Sequence, residues 1–470
     1  MLEPAYQADV VVVGAGVAGL AAAHRLTSQG VTTTVLEAAH GVGGRMATEK
    51  VDGFRLDRIG RLLSAAYPGP HLAPGLDGPV LLPYAPGVLL HSEGRRHRAG
   101  VPAGTRGARS ARGALHAVRA LASAPRTVPA PRRTVPAPLA PGGTVAVARP
   151  RTGAPLGTAV DQARLGAALT RLAHTPVERL LARPELPAAE ALAARGLPPR
   201  TIDGFLRPLL AALLCDPDLT TSSRCADLAL RAFAGGRPVL PAGGAEAVPE
   251  MLARSLPPGT VHTGVRVTSV ATNSVTTAEH GVIRCRAVLV ATDARAAAEL
   301  LPGLRVPDFH PVTVVHHTTD DPPATGASLL LDADRGGPVA HTAVVSRVDP
   351  SRAPAGRALV SSTVLGPVPS DVDAAVRIHL SRLYGTSTAR WETLAVHHAA
   401  EAVPAMRPPH DPHRPVRLLA GLYVCGDHRD TSTVQGALHS AERASAAILA
   451  DLGAGRPMHT AEPLPAASAA

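Results

Sequence analysis

The 470-residue chain is predicted to be an α/β protein, and three stretches predict it. A βαβ pattern fills Asp9 to Arg45, DVVVVGAGVAGLAAAHRLTSQGVTTTVLEAAHGVGGR. The run AVLVATD, closing on Asp293, reads as a parallel strand that passes into a helix, and GLYVCGD, closing on Asp427, ends another strand in a Gly-Asp pair before a second helix.

The first strand, Val10 to Val13, is uninterrupted valine, as a strand buried on both faces requires. It runs into Gly14, Gly16 and Gly19. Gly14 permits the tight turn, Gly16 lets the backbone approach a pyrophosphate, and Gly19 lets the helix opened by Val17 and Ala18 lie close on the strand. The helix N-terminus then faces the phosphates. The helix stops at Gly30, and the second strand ends on Glu37 and Ala38, with the Glu37 carboxylate placed for ribose hydroxyls and against a 2′-phosphate. A glycine-rich turn alone is a weak signal, but strand, turn, helix, strand and terminal acid together mark a dinucleotide site. Gly43, Gly44 and Arg45 select between cofactors: a second glycine pair gives another close backbone approach, and the arginine sets a cation against phosphates or ring edge. An NAD domain has no need of this, so FAD is expected.

Hydrophobic residues make up 45% of the chain but aromatics only 2%, so the core must rest on Ala, Val and Leu. The longest apolar run, Leu209 to Cys215, is far short of the roughly 20 residues that span a bilayer. No transmembrane helix is expected. Glu3 and Asp9 stand where a secretory leader would be basic, and Cys215, Cys225, Cys285 and Cys425 show no CxxC spacing. These features favour buried free thiols in a reducing cytoplasm, with Cys425 a core residue of its strand.

The net charge of +10 is local. Twelve arginines and no acid lie between Gly94 and Val160, which leaves 35 basic against 37 acidic residues elsewhere. Within this segment RTVPAP occurs at 126 to 131 and again at 133 to 138, and prolines continue to Pro155, predicting an extended insertion over about 124–155. Before it, Arg109, Arg112, His116 and Arg119 share one helical face, and Leu115, Val118 and Leu121 another. Nucleic acid is not an expected partner, because the segment has no aromatic for base stacking. A peripheral contact with anionic lipid and a solvated loop remain the two alternatives. The chain's single lysine beside 46 arginines points to compositional bias and the solvated loop.

In the middle of the chain, VHTGVRVTSVATN alternates as strand, and the backbone of Val267 is placed to meet an adenine. Near the end, Asp427 follows Gly426, and Gln435, Gly436 and Ala437 open the helix QGALHSAERASAAIL. Asp427 is suited to a ribityl hydroxyl, and the amides around Gln435 and Gly436 to the flavin pyrimidine at a helix N-terminus.

In order and spacing these motifs resemble the flavin-containing amine oxidase and phytoene desaturase superfamily. The resemblance implies a Rossmann-type FAD-binding domain assembled from discontinuous segments, 1–63, 235–301 and 397–455, with an inserted α+β substrate domain over 64–234 and 302–396. Residues 456–470 are expected to form a disordered tail. Three departures stand out. The lysine that many amine oxidases place near the flavin has only Lys50 as a counterpart, on a predicted hairpin. In FRLDRIG the glycine expected at Ile59 comes one place late, at Gly60. After GAL, a serine-glycine pair is replaced by His439, Ser440 and Ala441.

The substrate-facing candidates are Tyr67, Trp391 and His398. RWETLAVHH resembles the strand that brings aromatic residues to the flavin face in amine oxidases, where His398 would act as a base; a core tryptophan and a surface histidine are the alternative. The histidines show no metal-ligand spacing, and no metal is expected. The resemblance therefore implies an FAD-dependent oxidoreductase that takes a hydride from a C–N or C–C bond of a small or apolar molecule, with O2 or a quinone-type acceptor. A peripheral membrane desaturase and a non-catalytic carrier on the same scaffold are the alternatives.

Overall fold

The computed structural model describes residues 8–69, 78–100 and 156–453. The stretches where a basic amphipathic helix around Arg112, an extended insertion at 124–155 and a tail at 456–470 are expected lie outside the described residues.

The valine strand Val10–Val13 is buried along its whole length and pairs in parallel with Thr33–Glu37 on one side and Ala287–Val290 on the other. It is the centre of a six-stranded sheet ordered Val261–Thr263, Thr33–Glu37, Val10–Val13, Ala287–Val290, Leu422–Val424 and Arg417–Leu419. All neighbours are parallel except the last pair, a short antiparallel edge. The three stretches that predict the α/β class thus supply adjacent strands of one sheet. The helices that follow two of them, Val17–Ser28 and Val434–Leu452, share one core on its face. Small residues, Ala18 and Ala22 on one and Ala437, Ala441 and Ala444 on the other, fill this core with little aromatic volume. Cys425 is buried among them, and burial pushes its thiol up to about 12, so it is an inert core residue.

A second, seven-stranded sheet runs in the order Glu392–Pro404, Phe309–Thr319, Ala358–Leu365, Val339–Val344, Leu330–Asp332, Val88–Ser92 and Arg95–Ala99. It is antiparallel except where Leu330–Asp332 meets Val88–Ser92. Helices Ala159–His174, Arg207–Leu214 and Ser223–Gly235 pack near it around a leucine-rich core. The expected boundary between residues 396 and 397 falls inside Glu392–Pro404, whose residues through Pro404 pair with Phe309–Thr319. That strand is continuous because its later half still has a ladder partner, and only beyond it does the chain return to the nucleotide sheet. His316 and His317 lie on opposite sides of Phe309–Thr319: His316 Nε2 donates to the Asp57 carbonyl at 3.2 Å, and His317 Nε2 reaches the Asp373 carboxylate at 3.0 Å.

Among the described residues, no helix is long and apolar enough to cross a membrane.

Candidate active site

At Gly14 the backbone takes φ +102°, a conformation glycine alone adopts readily, and a Cβ there would stand 3.1 Å from the Ala291 carbonyl. Gly16 has open space where a Cβ would stand and lines a cavity of about 690 Å³. That volume lies within the range of small-molecule sites. Gly19 acts from behind: its Cβ would meet the Gly14 carbonyl at 2.0 Å, so the glycine sets helix-to-strand packing and does not itself line the cavity.

Glu37 has a second task that its position at a strand end does not reveal. Its Oε2 accepts the Ala15 N–H at 2.7 Å and its Oε1 the Ala39 N–H at 2.9 Å, which fastens the glycine-rich turn to the second strand. Each oxygen keeps a lone pair for a ribose hydroxyl. The GGR turn is tied to the same loop, since the Gly43 N–H donates to the Ala15 carbonyl at 2.9 Å. Gly43 and Gly44, both at positive φ, then carry Arg45 into the cavity wall. Its guanidinium donates to the Ala402 carbonyl at 3.0 Å and to Asp427 Oδ1 at 2.5 Å.

Burial alone would raise the Asp427 carboxyl, but the Arg45 guanidinium beside it holds it below the ordinary carboxylate value. Both charges therefore persist at neutral pH and close the site with opposite signs. Gly426 is anchored by Ser440, whose hydroxyl accepts the Gly426 N–H at 2.9 Å. The serine in the departure from GAL-serine-glycine thus holds the Gly-Asp turn in place, while His439 turns to Asp430 at 2.8 Å.

The cavity is lined by Gly14, Gly16, Val17, Ala18, Glu37, Ala38, Gly43, Gly44, Arg45, Val267, Gly426, Asp427 and Ala437, which the structure brings together from four separate regions of the chain. Three predicted residues are placed otherwise. The Gly436 N–H is taken by the Thr433 hydroxyl at 2.9 Å as a helix cap, so it is not free for a ligand. A Cβ at Gly436 would fall 1.9 Å from the Thr431 carbonyl, so its role, like that of Gly19, is close packing. Gln435 turns its amide to the Ser64 carbonyl at 2.8 Å and borders a narrow second cavity.

Of the substrate-facing candidates, only Tyr67 reaches this second cavity, opposite Leu213, Leu214 and Phe233. The two cavities share Arg61, Leu63, Thr433 and Val434 in their walls, so they are neighbours. Burial raises the Tyr67 hydroxyl above its ordinary value, and it is a neutral phenol at neutral pH. Trp391 lies elsewhere. It precedes its strand and packs 5.9 Å from the Tyr384 ring and 6.0 Å from His317, in a core with Val376 and Leu380. His398 is exposed, with Nδ1 2.9 Å from the Thr313 hydroxyl, and His397 pairs with Glu49 at 2.7 Å. Neither His398 nor Trp391 lines either cavity. Lys50 sits on the hairpin Thr48–Val51 to Phe54–Asp57, exposed and 3.2 Å from Glu246.

The wall also holds Asp57, Ile59 and Asp293, which lie outside the expected cofactor residues. Asp57 lines the cavity and accepts from Arg352 at 2.6 Å, Thr48 at 2.8 Å and the Ala245 amide at 2.9 Å. Its Arg352 partner is almost fully buried and also reaches Asp349 and the Pro241 carbonyl. Nothing local to FRLDRIG announces a partner so distant in the chain. Ile59 lines the cavity where a glycine is expected, and Gly60, at φ +53°, makes the turn one residue later. Asp293 was readable: it closes AVLVATD, lines the cavity, and caps helix Ala294–Leu300 through the Arg295 and Ala296 amides.

A parallel sheet with glycine turns at its carboxyl edge, an acid at the end of the second strand, and an Arg-Asp pair in the cavity wall defines a dinucleotide-binding flavoprotein fold, and the residues present fit FAD. The chain belongs to the family described as flavin containing amine oxidoreductase, whose model matches residues 17–449. This family is one of FAD-dependent oxidoreductases. Locally the chain is similar to a putrescine oxidase of Kocuria rosea, 52% identical over 62 residues, or 13% of each chain. It is similar also to a 4,4'-diapophytoene desaturase of Staphylococcus aureus (strain Newman), 54% identical over 48 residues, or 10% of each. The aligned stretches thus span about an eighth or less of those relatives. A crystal structure of an oxidoreductase from Methanosarcina mazei shares the fold over 93% of this chain and 99% of its own, with TM-score 0.63 and 16% identity.

Proposed function

We propose that this protein is an FAD-dependent oxidoreductase that removes two hydrogens, as hydride and proton, from a small or apolar organic molecule, with dehydrogenation or desaturation of a C–C bond favoured. In this reading residues 64–234 and 302–396, with the rest of strand Glu392–Pro404, form the substrate domain. The observation that carries the proposal is the cavity of about 690 Å³ that gathers Gly14, Glu37, Arg45 and Asp427; beside it lies a recess of about 40 Å³, too small to hold an organic substrate by itself, walled by the apolar Leu213, Leu214, Ala229 and Phe233. An apolar wall next to the flavin site suits an apolar C–H donor.

When bound, the flavin supplies a two-electron acceptor. The chain's own task is to orient the substrate and exclude water. Leu63 and Val434 border both cavities, and Tyr67 and Gln435 place neutral polar groups at the smaller one. Amine oxidation is the second reading, supported by the putrescine oxidase likeness. Against it, Lys50 lies outside both cavities, which leaves a lysine-assisted route without its residue. A carrier that has lost its cofactor is disfavoured by the complete set of Gly14, Glu37, Arg45 and Asp427 around one cavity.

The test is an anaerobic bleaching screen of the purified yellow protein against polyenes, saturated cyclic ketones, amines and amino acids. Bleaching by the C–C donors is expected, and bleaching by amines alone would overturn the preference. Protein that neither carries nor takes up FAD would overturn the oxidoreductase reading itself. Peroxide formed on reoxidation in air would mark O2 as acceptor, whereas a reduced flavin stable in air would point to a quinone.

A further inference from the structure

A second polar cluster lies near the edge of the seven-stranded sheet opposite Glu392–Pro404, and none of its members lines either cavity. The parallel pairing of Leu330–Asp332 with Val88–Ser92 sets Asp332 beside His91, and Asp334 follows in the turn. His91 Nδ1 stands 3.8 Å from Asp332 Oδ1 and 3.9 Å from Asp334 Oδ2. Both separations are too long for hydrogen bonds. His91 is nevertheless buried, and neither of its ring nitrogens has a hydrogen-bond partner. A buried imidazole without partners is costly unless something else meets it.

The carboxylates are held from behind. Asp332 Oδ2 accepts from His379 Nε2 at 3.1 Å and from the Gly336 amide at 2.7 Å, while its Oδ1 accepts the Asp334 amide at 3.1 Å. His379 Nδ1 accepts the Val339 N–H at 3.1 Å, which puts the ring proton on Nε2, facing Asp332. Asp334 accepts the Ser92 hydroxyl at 2.8 Å and the Glu93 amide at 2.7 Å. Two fixed carboxylates therefore face an imidazole with a free nitrogen, and one ligand atom from each of the three residues lies within 4.8 Å of the others. The 3.8 and 3.9 Å separations are too long for direct hydrogen bonds and only a few tenths of an ångström wider than the roughly 3.4 Å between tetrahedral ligands on bonds of about 2.0–2.2 Å, so a small inward shift of the three side chains would seat a central ion.

We propose that His91, Asp332 and Asp334 bind one divalent transition-metal ion of the zinc class. The imidazole selects against magnesium and calcium, and water completes the coordination on the exposed side of Asp334. The His379-Asp332 pair is the outer support such a ligand set uses. Because the ligands come from distant parts of the chain, the ion staples the outer hairpin of the sheet to its body, apart from any redox step.

The FAD-loaded full chain, freed of metal with a chelator, is titrated with Zn2+ by calorimetry. Wild type is expected to bind one equivalent that His91→Ala and Asp334→Asn lose, with an unchanged flavin spectrum. His379→Gln should weaken that equivalent roughly 10- to 100-fold. Zn2+ should also raise the thermal midpoint of wild type and of neither ligand variant. Should His91→Ala fail to fold, Asp334→Asn, at an exposed position, decides alone. Equal stoichiometry and affinity in wild type and variant, or no Zn2+ binding by wild type, would overturn the site.

Discussion

Arg45 and Asp427 are 382 positions apart, yet each is legible in sequence because each ends a short motif with its own local reason. GGR needs positive φ at two glycines, and CGD needs a strand that stops in a turn. What no motif shows is that the two side chains meet, because contact across the sheet edge depends on the register of strands laid down far apart. The same holds for Asp57, whose Arg352 partner lies 295 positions away. Glycines split by the same logic. Gly14 and Gly16 act on the cavity, whereas Gly19 and Gly436 act on packing behind it, and sequence spacing does not separate these roles. Asp427→Ala removes the only carboxylate that Arg45 contacts within hydrogen-bond distance among the described residues and leaves the guanidinium without its partner beside the cofactor site. A charged hydrogen bond is worth about 1.5–3 kcal/mol, so FAD affinity should fall roughly 10- to 100-fold. Titration of the apoprotein with FAD, followed by flavin fluorescence, measures it, and an unchanged affinity would remove Asp427 from the site.

Whole elements are legible where their period is strong, and the failures come from their ends. The valine strand, the helix stopped at Gly30 and the helix opened at Gln435 form where their patterns place them, whereas VHTGVRVTSVATN divides into Val261–Thr263 and Val267–Ala271 in separate sheets, with a register shift after Val267 that ends the alternation. Trp391 shows the limit. Alternation along RWETLAVHH presumes that the strand includes Trp391 and keeps an even register, but the strand begins at Glu392 and its pairing shifts between His316 and His317. A single shift moves every later side chain to the other face. The ring instead follows burial, against Tyr384, His317 and the helix Val372–Tyr384. Trp391→Ala should therefore act on stability, by about 3–5 kcal/mol, as for a large aromatic removed from a packed core. Chemical denaturation measures this loss, and FAD affinity at low temperature should stay near wild type. A variant with full stability and a reshaped flavin spectrum would return Trp391 to the flavin face.

For the molecule as a whole, the two sheets are joined at a few buried polar points, and these set its response to acid. Arg352, almost fully buried, ties the Asp57 hairpin beside the flavin cavity to Asp349 of the second sheet's loops. His316, bonded to the Asp57 carbonyl, is another such point, and further histidines are buried in the fold without bridging the sheets. His316, His341, His410 and His428 are each lowered from 6.5 to about 4, chiefly by burial. In the unfolded chain they take up protons near the ordinary value of 6.5, but in the fold they resist until about 4. The unfolded state thus binds more protons throughout that window, and stability must fall as pH falls from 6.5 toward 4. Each group contributes at most about 1.4 kcal/mol per pH unit there. His439 runs the other way: its hydrogen bond to Asp430 raises it, so its contribution is full below 6.5 and is lost as pH rises through its folded value. His97, His310 and His317 are lowered by burial as well, so seven histidines oppose one, and the carboxylates, Asp427 among them, enter only below about 4. Urea midpoints at pH 7.0, 6.0 and 5.0 should therefore decline steadily, and His341→Gln, which removes a group lowered by burial alone, should make the decline shallower. A midpoint that holds level or rises between pH 6.5 and pH 5 would mean that water or an ion reaches these rings, and that the histidines of this core are charged partners rather than neutral filling.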